Sequence, residues 1–194
     1  MLSEKLQNYN IILASKSPRR KYLLKELGIK FEINTNNQIK EEYPLSLKAK
    51  EIAKYLANKK ADAFKNNIKN NSLIITADTI VWINGQILNK PIDFDDAFKM
   101  LKQLSGNMHK VITGVCILAK TKKVIFTANT DVYFKKLSDN EIHYYLKHFK
   151  PYDKAGSYGI QEWIGYIGIE KINGSYFNVM GLPIQKLYEE LMKF

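Results

Sequence analysis

The sequence is poor in cysteine and has no long apolar run. A single cysteine, Cys116, among 194 residues excludes an intrachain disulfide and a cysteine-based metal cluster. It lies in the apolar run from Val111 to Ala119, so we expect it in the core. No apolar stretch approaches the roughly 20 residues that cross a bilayer. Glu4, Gln7 and Asn8 interrupt the segment where a signal peptide would be apolar. We therefore expect a cytoplasmic protein that does not associate with membranes.

Acidic residues are scarce relative to basic ones. Thirty lysines and arginines stand against nineteen aspartates and glutamates, giving a net charge of +11 and a pI near 9.5. This charge favours acidic partners such as nucleotides, nucleic acids or membrane surfaces. Much of the excess is lysine beside asparagine and isoleucine, as in Lys65 to Asn71. An ordinary solvated lysine surface therefore explains most of it.

Apolar residues make up 45% of the chain and fall into alternating strand-like and helix-like segments. This pattern predicts an α/β fold with a large sheet and enough apolar side chains for a core. There is no internal repeat and no clean linker. The tract from Lys65 to Asn71 is the only candidate for a boundary between two parts of the chain. The predicted strands are 11–14, 31–36, 72–83, 86–88, 111–119, 124–134 and 164–172. The predicted helices are 18–27, 45–64, 93–104, 138–149 and one that starts at 181–183, while 38–44 and 150–161 are predicted loops.

Positively charged residues and helix-capping residues are clustered directly after the first predicted strand. Ser17 suits the N-cap, Pro18 the first helical position, and Gly28 the left-handed position past the helix end. Arg19 and Arg20 fall in the first turn, where the helix dipole already carries positive charge. A bound polyanion would relieve this repulsion.

The same segment holds the ingredients of a phosphate site. The hydroxyls of Ser15 and Ser17, the free helix N–H groups and two guanidiniums lie at the end of a buried strand. Backbone donors, a helix dipole and planar guanidinium forks all suit phosphate oxygens. An ordinary helix cap with solvated arginines explains the segment equally well.

Asp78 is a carboxylate inside the apolar run LIITADTIV. A charge there needs a cation or hydrogen bonds, and a buried structural aspartate is one explanation. A phosphate site normally needs Mg²⁺, which prefers hard oxygen ligands, and Asp78 with Glu41 or Glu42 could supply them. The carboxylate could alternatively accept a proton from an attacking water.

Two further segments carry candidate binding residues. Lys90 precedes Pro91 at a strand end, where a phosphate contact and a surface lysine are equally plausible. Gln161 ends the glycine-punctuated loop that begins at Asp153, and its amide, which both donates and accepts, matches the imide edge of uracil or thymine. The histidines show no metal-ligand spacing and are expected to be structural or exposed: His109, His143 and His148.

Six ordered motifs cover almost the whole chain: ASKSPRR, ADTIV, NKP, MLKQLSGNMHKVITGV, PYDKAGSYGIQ and INGSYFNVMGLP. Together they resemble the Maf family of nucleoside triphosphate pyrophosphatases. The resemblance implies hydrolysis of the α–β phosphoanhydride of modified or surplus nucleoside triphosphates, with a divalent cation, Mg²⁺ or Mn²⁺. It also implies an α/β fold similar to the inosine triphosphate pyrophosphatases, with an elongated mixed β-sheet flanked by helices. One domain, 1–194, would form two lobes around a cleft, and homodimers are usual.

The resemblance implies roles for individual residues. Asp78 is the expected catalytic proton acceptor, and Glu41 with Asp78 would hold the metal. The alignment with the family motif can shift by one residue here, so Glu42 is the alternative to Glu41. The expected phosphate-binding residues are Ser15, Ser17, Arg19, Arg20, Lys60 and Lys90. The expected specificity residues are Arg20, Thr79 and Gln161.

The loop DKAGSYGIQ resembles the branch of the family that takes dTTP and UTP. The branch that takes 7-methyl-GTP lacks the YGIQ ending. Two positions depart from the family pattern: Lys150 stands where an acid is often found, and Glu162 stands where glycine follows Gln161. Both flank the loop that would set the pyrimidine preference.

We therefore expect a pyrophosphatase that converts dTTP or UTP, and modified pyrimidine triphosphates, to monophosphate and pyrophosphate. The alternative within the family is a 7-methyl-GTP-type enzyme. A nucleic-acid-binding module would show salt-sensitive binding spread over the surface, but the carboxylate of Asp78 in a binding groove would repel the nucleic acid. A cell-division regulator, implied by the family's septum-formation name, is the other alternative.

Overall fold

The structure is a computed structural model that describes residues 1–35 and 39–194. The strands are β1 Asn10–Leu13, β2 Glu32–Ile33, β3 Ser72–Ile83, β4 Gln86–Leu88, β5 Met108–Leu118, β6 Lys123–Phe134 and β7 Ile169–Asn173. The helices are α1 Leu2–Lys5, α2 Pro18–Lys25, α3 Lys50–Asp62, α4 Phe94–Leu104, α5 Asp139–Phe149, α6 Trp163–Gly168, α7 Tyr176–Val179 and α8 Ile184–Leu191. Short 3₁₀ turns occupy Lys65–Asn67 and Ala155–Ser157.

Within the described residues the strands form one seven-stranded sheet. Six strands follow one another in the order β2-β1-β3-β5-β6-β7, and the seventh, β4, is an additional partner of β3. The pairs β1–β2 and β1–β3 are parallel, whereas β3–β4 and β6–β7 are antiparallel. The sheet is therefore mixed and flanked by helices, which confirms the predicted fold class. None of the helices in the described ranges is both long enough and apolar enough to span a bilayer.

The chain forms two compact units. Unit 1 comprises Met1–Asp78, Thr113–Ala128 and Gly181–Phe194, and unit 2 comprises Thr79–Ile112 and Asn129–Met180. The boundary predicted at residues 65–71 is wrong, because this tract lies inside unit 1. It is tied to the sheet there, since the carbonyl of Asn71 accepts a hydrogen bond from the Asn10 N–H at 2.7 Å.

In unit 1, α3 packs closely on the sheet. A Cβ atom added to Gly114 of β5 would lie 2.1 Å from the Ala53 carbonyl oxygen, so only glycine allows this approach. The Thr76 hydroxyl of β3 donates to the Ala57 carbonyl of α3 at 2.7 Å. The first contact holds the N-terminal half of α3 against β5, and the second holds its C-terminal half against β3. The buried face of α3 is Ile52, Ala53, Leu56, Ala57 and Ala61.

Helix α3 is shorter than the predicted segment 45–64. It begins five residues later because Leu45 is 97% exposed and Ala49 has a positive φ of 41°, which interrupts a helical path. Strand β1 runs one residue earlier than predicted, and α2 ends at Lys25 rather than Leu27, although Gly28 adopts the expected left-handed φ of 68°.

Strand β2 is shorter than predicted, covering Glu32–Ile33. Asn36 of the predicted strand and Gln38 of the predicted loop lie outside the described residues. Strand β3 has the predicted bounds, and its hairpin turn uses Asn84 and Gly85 with φ of 49° and 82°.

In unit 2, side-chain caps start two helices where the sequence predicts them. Asp93 accepts from the Asp96 N–H at 2.8 Å at the start of α4, and Ser138 with Glu141 forms a capping box at the start of α5. The buried face of α4 is Ala97, Met100, Leu101 and Leu104.

The strand predicted over residues 164–172 is wrong in its first half, which forms α6. The Gly165 N–H donates to the Glu162 carbonyl at 2.8 Å, and a Cβ at Gly165 would lie 2.0 Å from the Ile160 carbonyl oxygen. Glycine therefore permits a tight helical turn here, and strand β7 starts only at Ile169. The alternation of apolar residues in this segment is typical of a strand and does not indicate the helical turn.

Candidate active site

Lys60 joins two carboxylates at one nitrogen in unit 1. It lies in the last turn of α3, and its Nζ bonds to Oδ1 of Asp78 in β3 and, at 2.6 Å, to Oε1 of Glu41. The Asp78 side chain is 9% exposed and that of Glu41 is 52% exposed. The predicted metal ligands and one predicted phosphate-binding lysine therefore meet in a single cluster.

Asp78 carries an altered acidity. Burial raises the pKa of Asp78, while the positive charges of Lys60 and Arg20 lower it. Burial is the larger influence, so the pKa of Asp78 stays above its ordinary value. A carboxylate shifted towards neutral pH is better suited to accept and release a proton than an exposed aspartate.

The guanidinium of Arg20 is braced by backbone carbonyls within unit 1. Its Nε donates to the Gly181 carbonyl at 2.8 Å, and one terminal nitrogen donates to the Ala77 carbonyl at 2.8 Å and to Ser15 Oγ at 3.4 Å. Burial lowers the pKa of Arg20, and the negative charge of Asp78 opposes that shift. Arg20 thus fixes the start of α2 against β3 and brings positive charge towards Asp78.

The two serines build the start of α2. Ser17 is the N-cap, and its Oγ accepts from the Arg20 N–H at 3.4 Å. Ser15 is buried, and its Oγ accepts from the Ser17 N–H at 3.2 Å. The predicted cap, with Pro18 in the first turn, is confirmed. Arg19 is half-buried in that turn, and the role of these residues in phosphate binding stays a prediction.

The structure distinguishes Glu41 from Glu42. The side chain of Glu41 reaches Lys60, whereas Glu42 offers its backbone carbonyl to Lys59 Nζ at 2.9 Å and its carboxylate lies 3.9 Å from Lys40 Nζ. Glu41 is therefore the one whose carboxylate shares a partner with Asp78.

The donor set of this cluster fits a divalent cation. Two carboxylate oxygens already converge on one positive group, the ammonium of Lys60, and hard oxygen ligands are those that Mg²⁺ and Mn²⁺ prefer. The described residues contain no group of three or more His, Cys, Asp or Glu side chains that could hold a metal. Glu41 and Asp78 would therefore hold such a cation together with ligands from outside the chain.

Unit 2 contains the remaining predicted site residues. Thr79 is half-buried and follows Asp78 in β3, while Lys90 and Gln161 are exposed. The carbonyl of Asn89, next to Lys90, accepts from the Gly156 N–H at 3.1 Å. The strand end that carries Lys90 is thus tied to the loop that carries Gln161.

Sequence reasoning missed a polar network around this loop. The Tyr145 hydroxyl donates to Glu162 Oε2, and Lys154 Nζ lies 2.9 Å from Glu162 Oε1. The available signal was Glu162 itself, which departs from the family pattern. The histidines and Cys116 lie as expected, with His109 and Cys116 buried and His143 and His148 exposed.

Known proteins share this fold. A solved structure of a HAM1 protein from Coxiella burnetii aligns with a TM-score of 0.51 at 14% sequence identity, covering 96% of this chain and all of that one. At this identity the likeness concerns the fold alone. It places the chain in the class of α/β proteins with the HAM1 architecture.

The sequence defines the family more narrowly. The family described as Maf-like protein matches residues 10–194, and the chain belongs to this family. Proteins named dTTP/UTP pyrophosphatase are similar to it along nearly their full length. That of Phocaeicola vulgatus is 58% identical over 190 residues, covering 98% of each chain. Those of Parabacteroides distasonis and Flavobacterium psychrophilum are 54% and 52% identical, with at least 98% of each chain covered.

Proposed function

We propose that this protein is a nucleoside triphosphate pyrophosphatase that hydrolyses dTTP and UTP to the monophosphate and pyrophosphate. The observation that carries the proposal is the convergence of Asp78, Glu41 and Lys60 on one point, with Arg20 braced beside the same strand. Carboxylates for a metal or a proton and cations for phosphate are the groups that phosphoanhydride hydrolysis needs. The names of the relatives supply the substrate class.

In this proposal, the positive residues bind and orient the triphosphate. The helix start at Ser15 and Ser17 offers backbone donors, and arginines bind phosphate oxygens through two parallel hydrogen bonds. Charge neutralisation also lowers the barrier to attack by water at the α phosphorus. The residues assigned to this task are Ser15, Ser17, Arg19, Arg20, Lys60 and Lys90.

Asp78 takes part in the chemical step, as a base or as a metal ligand. As a base, its Oδ2 takes the proton from the attacking water while Lys60 holds Oδ1. A divalent cation held by Glu41 and Asp78 would supply Lewis-acid stabilisation of the charge on the phosphate oxygens. Only the metal-ligand role needs Lys60 to give up part of its contact with the carboxylates when the substrate binds.

Base selection is assigned to three residues in this proposal. Gln161 can donate to O4 and accept from N3–H of uracil or thymine, and Thr79 and Arg20 are the other assigned specificity residues. The alternative substrate within the family is 7-methyl-GTP. Nothing in the described site favours a nucleic acid, because Asp78 and Glu41 would repel a polyanionic backbone that lacks a bridging cation.

A substrate panel with pyrophosphate detection tests the proposal. The purified protein with Mg²⁺ or Mn²⁺ is offered dTTP, UTP, modified pyrimidine triphosphates, dCTP, purine triphosphates and 7-methyl-GTP at equal concentration. We expect the highest kcat/KM for dTTP and UTP. A preference for 7-methyl-GTP or a purine triphosphate would overturn the substrate assignment and keep the reaction class.

A homodimer, which the family resemblance implies, and a cytoplasmic location, which the apolar pattern of the sequence favours, remain predictions. Light scattering of the purified protein gives the mass of the assembly, and the 22.5 kDa chain predicts about 45 kDa for a dimer. Cell fractionation tests the location. A cell-division defect that persisted with an inactive Asp78→Asn protein would instead support a separate binding role.

A further inference from the structure

The loop that carries Gln161 is closed by a charged pair between its two ends. Lys154 Nζ lies 2.9 Å from Glu162 Oε1 and 2.7 Å from Asp153 Oδ1. The side chains of Lys154 and Glu162 are 10% and 24% exposed. An ion pair this well shielded holds its geometry better than an exposed surface pair.

Tyr145 of α5 holds the carboxylate of Glu162 through its other oxygen. Its buried hydroxyl donates to Glu162 Oε2 and accepts from the Gly159 N–H at 3.0 Å. A Cβ atom at Gly159 would lie 2.7 Å from the Glu162 carboxyl carbon. Glu162 therefore has both oxygens engaged within the protein and leaves no room for a side chain at position 159.

Gln161 lies between these anchored points. The Glu162 N–H donates to the Gly159 carbonyl at 3.0 Å, and the Gln161 carbonyl accepts from the Tyr166 hydroxyl at 2.7 Å. The Gln161 side chain itself is exposed. The backbone of Gln161 is thus held while its amide faces outward.

A fixed amide is what base discrimination requires. Uracil and thymine present a donor at N3 and an acceptor at O4, whereas cytosine presents an acceptor at N3 and a donor at N4. A glutamine amide that rotates by a half turn satisfies either pattern. Discrimination therefore depends on holding the amide in one orientation, so that the wrong base leaves polar groups unpaired.

We propose that Glu162 is a positioning residue for base selection, which together with Tyr145 and Lys154 closes the loop and fixes the backbone from which the Gln161 amide meets the base. Glu162 acts through its neighbour and does not touch the substrate. The inference rests on the proposed function, in which Gln161 reads the base.

The kinetic test compares kcat/KM for dTTP with kcat/KM for dCTP in the same preparation. This ratio does not depend on the fraction of folded enzyme, so a merely structural role leaves it unchanged. We expect Glu162→Ala and Tyr145→Phe to lower the ratio at least tenfold, chiefly because KM for dTTP rises. Glu162→Gln keeps an acceptor for Tyr145 and should restore part of the ratio. The matched control is Asp131→Ala, which removes a 22%-exposed carboxylate paired with Lys110 in the same unit.

Amide hydrogen exchange without substrate tests the closure itself. The Gly159 N–H should exchange at least tenfold faster in Tyr145→Phe and Glu162→Ala than in the wild type, and Asp131→Ala should leave it unchanged. Unchanged exchange at Gly159, or a dTTP to dCTP ratio within twofold of the wild type in both variants, would overturn the inference. A wild type that hydrolyses neither nucleotide would contradict the proposed function, and a slow Gly159 exchange that the variants accelerate would still support the closure.

Discussion

Lys60 donates a hydrogen bond to Asp78 across the interface between helix α3 and strand β3. The side chains are 17% and 9% exposed, so each charge depends on the other for compensation. The pair brings the end of a helix onto the middle of a buried strand, where an isolated carboxylate would be neutralised. The candidate chemistry of the protein is centred on this contact.

Loss of Lys60 should impair catalysis far more than loss of its neighbour. Lys60→Met removes the cation between Glu41 and Asp78, and we expect kcat/KM for dTTP to fall about 100-fold or more, which is about 3 kcal/mol of transition-state stabilisation. Lys59→Met is the matched control, because Lys59 contacts only the Glu42 carbonyl among the contacts described above. Equal kinetics for the two variants, measured by pyrophosphate release, would remove Lys60 from the site.

Asp78→Asn should abolish turnover while the protein stays folded. Asparagine has nearly the same shape and can still accept a hydrogen bond from Lys60, but it cannot take a proton from water or bind a cation strongly. We expect kcat to fall about 1,000-fold or more. Far-UV circular dichroism and a thermal melt check that the fold persists. Full activity in this variant would exclude Asp78 from the mechanism.

Glu41→Gln and Glu42→Gln should differ in their dependence on metal. Only the Glu41 carboxylate shares a partner with Asp78. We therefore expect Glu41→Gln to raise the Mg²⁺ concentration for half-maximal activity about tenfold, while Glu42→Gln leaves it unchanged. Mg²⁺ titrations of the steady-state rate measure both. A larger shift for Glu42→Gln would move the metal site by one residue.

His109 should make the fold less stable in mild acid. It is buried, its Nε2 lies 2.7 Å from the Tyr158 hydroxyl, and burial lowers the pKa of His109 to about 3. Between pH 6.5 and pH 3 the unfolded chain binds a proton at this histidine and the folded chain does not. Stability is therefore full above pH 6.5 and falls with pH, by about 2 kcal/mol at pH 5.

Urea unfolding at pH 7 and pH 5 measures this effect. The wild type should lose about 2 kcal/mol more between these two pH values than His109→Gln, whose side chain does not titrate. Other groups titrate equally in both proteins and cancel in the comparison. The same pH dependence in both proteins would mean that His109 is protonated in the folded state.

The fold was predictable wherever local signals agreed with the tertiary structure. The cap at Ser17, the capping box at Ser138 and the turn at Asn84 each fix a boundary by a local hydrogen bond or a positive φ. One error, the strand predicted over residues 164–168, falls where a short-range backbone contact decides. Helix α6 depends on the close approach of Gly165 to the Ile160 carbonyl, which apolar periodicity does not register.

The site was predictable in its residue types more than in its contacts. Buried charge made Asp78 conspicuous in the sequence, the adjacent Glu41 and Glu42 were candidate metal ligands beside it, and the family resemblance supplied Lys60. That Lys60 would bond both carboxylates, and that Arg20 would donate to the carbonyls of Ala77 and Gly181, depends on segments far apart in the chain. Such pairings follow from the strand order and helix placement, which no local pattern encodes.

The position of bond cleavage tests the central claim most directly. Hydrolysis of dTTP in ¹⁸O-labelled water, with the products separated and weighed by mass spectrometry, shows which phosphorus the water attacks. Attack at the α phosphorus predicts dTMP carrying one ¹⁸O atom together with unlabelled pyrophosphate. Formation of dTDP and orthophosphate, with the label in orthophosphate, would contradict the account.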